Sequence, residues 1–437
     1  MEITSGRFSK SLLDKYPSIK LMAKYSHFHV DQAVLFLAGL LHHTGASASH
    51  TPSDALHTSS ILFKSYMARI LKQKVVNRPR PLISGPNFRT AVLYWTGLPP
   101  RLTHGNADRH PGHDSDLEVC RSCPSGPNGQ RKVLDPTGDH AASCLGAYNA
   151  RLHAHHAVAQ VLVQAAREAG VLQAIGGFTG EPKTHLLLNG VYGPKLCAAM
   201  FPLASDPHSI QIAKQIRELA QIAHDCRTPL DFRQQAKRKL DVMLAAKDDL
   251  LGGLRIDVYL QGIDGRELFI DVTGLCITAA SHLKGEIRHA AWADASRRAA
   301  SINRHPDPMA RTERPAFAKR QQDKLKKYAP LVDIATFQVG QGYRAHAPKF
   351  KTVAFSRCAS LSKGLFETVD WIANQFGLAD QQLSQRLDSR STGEVRAEFR
   401  ADVLDRLVCA IVQGSANIMR AAGHTKGACS TYSNRSQ

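Results

Sequence analysis

"LRIDVYLQGIDGRELFIDVTGLCI", residues 254 to 277, is the stretch on which the architecture turns. Ile, Val, Leu and Phe alternate with polar residues on either side of "GIDGR", so the segment reads as two strands joined by a tight hairpin, with Asp264 as a turn residue. Asp257 falls on the first strand and Asp271 on the second. A hairpin of this length sets the strands side by side, where both carboxylates can reach one divalent cation. Two acids on otherwise apolar strands are costly to bury without a metal or a base beside them. Phosphodiester hydrolysis needs this arrangement: carboxylates hold Mg2+ or Mn2+, the metal activates water, and a nearby lysine orients it. The alternative is a plain hairpin with two exposed acids.

Outward from the hairpin the pattern is helical. Downstream, 281–300 and 316–328 read as helices, and "VDIATFQV" (332–339) reads as one more strand. Leu365, Val369, Ile372 and Phe376 share one face of a later helix, and Phe399, Val403, Leu407 and Ile411 share one face of another, as core stripes do. Upstream, 149–170 is an Ala-rich helix closing on Gly170, and 202–249 is a long basic helical segment. Residues 8–100 are read as mostly helical, and the Pro/Gly/His-rich stretch 97–116 as a boundary.

Beyond that boundary, Cys120 and Cys123 form C-x2-C, and His140 and Cys144 form H-x3-C, a complete four-ligand set for a closed, structural Zn2+ site. The intervening "PSGPNGQ" has too little apolar content to fold alone, as expected of a loop stapled by a metal. The alternative is two unrelated cysteine pairs. His153, His155 and His156 on the following helix read as solvent-facing or satisfied residues rather than further ligands.

With 56 Lys and Arg against 37 Asp and Glu, the 437-residue chain carries a formal charge of +19, which favours a polyanionic partner, nucleic acid first. The apolar run at 33–41 is far short of the roughly 20 residues a membrane span needs, so no membrane partner is expected. The opening residues lack the features of a secretory leader. Nine cysteines do not make a disulfide framework, and a reducing, intracellular compartment is expected. Between Arg311 and Lys327 basic residues crowd together; on a helix beside the hairpin they would track phosphates without reading sequence.

Together these residues resemble the C-terminal region of site-specific non-LTR retrotransposon (reverse transcriptase) proteins that carry a restriction-endonuclease-like, PD-(D/E)XK nuclease. The shared elements are the knuckle ending in "GDHA...C", "HHAV" (155–158) at a helix start where the family has an "RHN" pattern, "RID" ending on Asp257, "FIDVT" carrying Asp271, and "KLKKY" supplying Lys324, Lys327 and Tyr328. "PNFRTAVLYWTGLPP" is similar to the family's segment before the knuckle, and the likeness covers about residues 80–345. "RID" lacks the family's proline, the helix start lacks its arginine, a helical insertion precedes the first strand, and Thr273 stands where a lysine would complete E-x-K.

The resemblance implies Asp257, Asp271, Lys324 and Glu181 as catalytic, with Asp257 and Asp271 holding Mg2+ or Mn2+. From the basic charge, Arg255, Arg314, Lys319, Arg320, Lys326 and Lys327 are the candidate DNA-binding residues. The expected fold class is mixed, α+β with α/β character. Its parts are a helical region at 1–100, the tail of a polymerase-associated segment; a zinc knuckle with linker at 101–148; a small restriction-endonuclease-like mixed sheet flanked by helices at 149–345, with a helical insertion near 202–249; and a helical region at 346–437 ending in a disordered tail. The expected function is metal-dependent nicking of target DNA in the nucleus. No polymerase Tyr/Phe-x-Asp-Asp motif is present. Element RNA and a separately encoded reverse-transcriptase portion are further candidate partners. The alternative is a catalytically decayed nucleic-acid-binding remnant.

Overall fold

The computed structural model describes residues 139–202, 206–245, 254–277, 313–357, 359–383 and 392–423, with isolated positions between 83 and 134 and between 282 and 289. The readings of 8–100 as helical, of 97–116 as a boundary and of the tail as disordered therefore lie almost wholly outside the described residues, as do Arg311 and most of 281–300.

The hairpin forms as its sequence dictates. Strands β2 (Val258–Gln261) and β3 (Glu267–Leu275) pair antiparallel, Val258 opposite Ile270 and Gln261 opposite Glu267. The Gly262 and Arg266 backbones close the turn, and Asp264 accepts a hydrogen bond from the Arg266 amide at 3.0 Å. A short strand β1 (Gln173–Gly176) pairs antiparallel with β2, and β4 (Lys349–Ser356) pairs parallel with β3, giving a four-stranded mixed sheet in the order β1-β2-β3-β4. Strand β3 is central and buried on both faces: Leu268, Ile270 and Val272 make one face apolar, while the other carries Glu267, Asp271 and Thr273 beside Phe269 and Leu275.

Helices cover both faces, and alternate β3 residues serve the two layers. Val258, Leu260, Leu268, Ile270, Val272, Val353 and Phe355 join the core formed with α2 (Tyr148–Glu168), α8 (Lys363–Leu383) and α9 (Thr392–Gly423). In α2, Val158 and Leu162 are fully buried, each contributing about 1.5–3 kcal/mol. Both C-terminal stripes lie in this layer, and Phe376 stacks on Phe399 with ring centroids 4.4 Å apart.

On the other face Tyr259 and Phe269 meet α7 (Pro315–Gly340) and the insertion, whose α5 (Pro207–His224) and α6 (Leu230–Ala245) supply Ile216, Ala220 and Leu240. Short helices α1 (Asp139–Ser143), α3 (Thr184–Leu187) and α4 (Pro194–Met200) fill the connections. Among the described residues no helix is long and apolar enough to cross a membrane.

Three expectations are corrected. "VDIATFQV" is no strand: α7 runs through Pro330 to Gly340. Tyr328, Leu331, Ile334, Ala335 and Gln338 are buried at helical spacing, so the β-branched alternation there is incidental.

Nor does the sheet end at 345, because β4 begins at Lys349 and α8 and α9 share its core. The knuckle is likewise no separate module. Cys120, Leu134, Ala141 and Cys144 belong to the same buried cluster, and the Ser122 hydroxyl donates to the Ala421 carbonyl of α9 at 2.7 Å. Asn87, buried with Ala91 and Tyr94, exchanges hydrogen bonds with Asn417 and Arg420 of the same helix.

Candidate active site and metal centre

In the knuckle, the Sγ atoms of Cys120 and Cys144 lie 3.4 Å apart, those of Cys123 and Cys144 3.5 Å, and Cys123 Sγ lies 3.4 Å from His140 Nε2. Tetrahedral zinc with Zn–S bonds of about 2.3 Å puts its ligands roughly 3.5–3.8 Å from one another. The donor set fits zinc in number, type and spacing, and all four donor atoms fall within 4.8 Å of one another. Burial, then hydrogen bonds with Cys120 and Cys123, pushes the Cys144 thiol up to about 12. A cation among the sulfurs would reverse that, since a coordinating thiol is deprotonated outright. Gly146 lets the chain close on the C-x2-C turn, because a Cβ there would sit 1.9 Å from the Ser122 carbonyl oxygen.

The second cluster lies where the hairpin meets α2 and α7. Asp257 stands just before β2, whose first residue, Val258, pairs with Ile270; the Asp257 amide donates to the Ile270 carbonyl at 3.2 Å, and its Oδ2 accepts from the Val272 amide beside Asp271. Asp271 shares its strand face with Phe269, toward α7, and two α7 side chains converge on its Oδ1: Lys324 Nζ at 2.8 Å and the Tyr328 hydroxyl at 2.8 Å. That hydroxyl also lies 2.8 Å from the Arg255 carbonyl oxygen. One phenolic proton serves only one of these two acceptors at a time, while Lys324 donates to the same carboxylate oxygen. Burial, then the Asp257 charge, raises the Asp271 carboxyl above the usual carboxylate range, against the opposing pull of Lys324 and Tyr328. Burial and Asp271 in turn push the Tyr328 phenol far up. Asp271 is 2% exposed, and its Oδ2 has no hydrogen-bond partner among the described residues.

From α2, His155 Nε2 reaches Asp257 Oδ1 at 3.1 Å. Burial opposes a charge on this imidazole, but the Asp257 hydrogen bond and the charges of Asp257, Asp271 and Glu181 together outweigh it and raise its affinity for a proton. His156 beside it moves the other way, lowered by burial and by His155. Glu181 arrives from the loop after β1. Gly176 makes that approach possible: its φ is 143°, and a Cβ there would strike the Asp257 carbonyl oxygen at 2.3 Å. Donor atoms of His155, Glu181 and Asp257 lie within 4.8 Å of one another, a set able to hold a divalent cation.

The structure thus brings Asp257, Asp271, Lys324 and Glu181 together, from positions the sequence scatters over more than one hundred residues. Two neighbours were not singled out as site residues, His155 and Tyr328. Neither declares itself by spacing, and only their places in "HHAV" and "KLKKY" pointed to them. His155, read as a satisfied or solvent-facing residue, is satisfied, and its partner is the candidate site carboxylate Asp257.

Of the basic residues, Lys319, Arg320, Lys326 and Lys327 are exposed on α7, and Arg255, 61% exposed, lies 3.7 Å from Glu181. Burial and Lys324 lower the Lys327 ammonium. Arg314 is corrected as a DNA contact: its side chain is 14% exposed and bound to buried Glu286 at 3.0 Å, just before α7 begins.

No family model, curated protein or solved structure matches the chain.

Proposed function

We propose that the protein is a metal-dependent DNA endonuclease of restriction-endonuclease-like type that nicks a DNA strand by phosphodiester hydrolysis, as the nuclease of a non-LTR retrotransposon does. The observation that carries this is the meeting of Asp257, just before β2, with Asp271 on β3, and the delivery of Lys324 onto Asp271 from a helix 53 residues away.

A divalent cation bound by the carboxylates would supply Lewis acidity for water and phosphate. The protein's own groups do the rest. Tyr328 and Lys324 fix Asp271, so its orientation is set before substrate arrives. The Lys324 ammonium, 19% exposed, sits where it can offset charge gathering on a phosphate oxygen and hold a water in line. Lys319, Arg320, Lys326, Lys327 and Arg255 supply cationic contacts to the backbone, which position DNA without specifying its sequence. The Cys120, Cys123, His140 and Cys144 knuckle, holding zinc, ties the start of α2 and the end of α9 into one frame. Nuclear localisation follows from this reading, since target DNA resides there.

The test is nicking of supercoiled plasmid with Mg2+ or Mn2+, comparing the unmodified protein with Asp271→Ala and Lys324→Ala. Removal of a preorganised electrostatic group is expected to cost about 10²–10³-fold in rate. Equal nicking by all three proteins overturns the reading. Steeply salt-dependent DNA binding with no nicking by any of them makes the protein a binding remnant instead.

A further inference from the structure

A nitrogen donor stands among the oxygens of this site. We propose that His155, Glu181 and Asp257 bind a divalent cation of the transition series, taking Mn2+ in preference to Mg2+, and that His155 is the ligand that sets this preference. The proposal rests on the nuclease reading for the use of the cation, though not for its binding.

Three observations carry it. First, the donors come from α2, from the loop after β1 and from the residue before β2, yet all fall within 4.8 Å of one another. His155 Nε2 and Asp257 Oδ1 are 3.1 Å apart, and an octahedral ion with bonds of about 2.1 Å spaces adjacent ligands about 3.0 Å apart. Second, all three residues are half-buried, which keeps an entry path open, and two carboxylates balance a charge of about +2. Third, Asp271 follows Ile270, the partner of Val258 across the hairpin, and its buried Oδ2 has no hydrogen-bond partner among the described residues. A buried carboxylate oxygen in that state is a group that a nearby cation could satisfy.

Selectivity follows from ligand chemistry. Mg2+ takes oxygen ligands and gives up water reluctantly, whereas imidazole suits transition ions, whose affinity for nitrogen-bearing sites climbs along the first row. Replacing the nitrogen by oxygen removes the advantage and leaves the rest of the cluster in place.

The experiment uses the full-length protein with its knuckle zinc retained and quantified. Mn2+ is titrated by the loss of its aqueous EPR signal, Mg2+ is titrated in competition, and the bound Mn2+ is examined by pulsed EPR. One Mn2+ site with ¹⁴N coupling is expected, with Mg2+ displacing it only at large excess. His155→Asp should remove the coupling and narrow the preference about tenfold or more. Because His140 also offers a nitrogen, Asp257→Asn must abolish the coupling too. Mn2+ binding without ¹⁴N coupling, coupling that survives Asp257→Asn, or an unchanged preference in His155→Asp overturns the proposal. Absence of ¹⁴N coupling in the unmodified protein overturns the proposal even if a variant fails to fold. Selective Mn2+ binding without nicking overturns the nuclease reading alone; nicking without nitrogen coupling overturns this proposal alone.

Discussion

Gly414 of α9 crosses α2 at Ala154, the residue before His155. A Cβ at position 414 would lie 2.6 Å from the Ala154 Cβ and 3.1 Å from its Cα. Apolar carbons rest about 3.5–4.0 Å apart, so Gly414→Ala forces the helices about an ångström apart. Overpacking of that kind costs about 1–3 kcal/mol, and replacing glycine by alanine inside a helix returns about 0.5–1 kcal/mol. The single variant should therefore lose about 0–2.5 kcal/mol. Ala154→Gly alone should lose about 1–2 kcal/mol from propensity and a buried methyl. Together, Ala154→Gly and Gly414→Ala move one methyl across the crossing and abolish the clash, so the pair should be coupled favourably by about 1–3 kcal/mol. Urea denaturation of the four proteins measures the cycle. Nicking and Mn2+ binding should fall in Gly414→Ala and recover in the double variant, because α2 carries His155. Additivity within about 0.5 kcal/mol would refute the claim that this crossing positions the helix.

Stripping zinc with a chelator, or changing Cys123→Ser, should lower the unfolding free energy by about 2.7 kcal/mol at zinc one hundred times above its Kd. Hydrogen exchange should loosen in α9 as well as in the knuckle, given the Ser122–Ala421 bond. His224, lowered by burial and then by Lys237, packs edge-on against Tyr192. Its stabilising contribution is present above the ordinary imidazole value of about 6.5 and is lost as pH falls through that value toward the folded one. The urea midpoint of His224→Gln should accordingly fall less between pH 8 and 5 than that of the unmodified protein. Each of Lys319→Ala, Arg320→Ala and Lys326→Ala should weaken DNA binding across sequences and reduce the salt slope by about 1, as fluorescence anisotropy over a salt series would record. Arg314→Ala should leave that slope unchanged and lower stability instead.

The parts legible from sequence are those whose signal is local. Asp257 and Asp271 stood out because period-two strands and a "GIDGR" turn fix a hairpin within a couple of dozen residues. The zinc set stood out because ligand spacing is a geometric constraint. The C-terminal stripes followed from helical period alone. What escaped depends on distant partners. β1 has four residues and no pattern of its own; β4 is a strand because β3 lies alongside it; "VDIATFQV" carries β-branched residues in a helix because packing against Tyr259 and Phe269 outweighs local propensity. A histidine on a helix does not announce which carboxylate it will face, so the partner of His155 is not legible in the sequence.

The parallel pairing of β3 with β4 has a consequence for how the chain matures. The strand bearing Asp271 leaves the ribosome well before its last neighbour, which arrives only after α7 has been made. Until then β3 has an open edge and apolar residues on both sides, the condition under which strands recruit other chains. Nascent or prematurely terminated products ending upstream of Lys349 should thus be clients of chaperones or fall into aggregates, and would not persist as shorter folded chains.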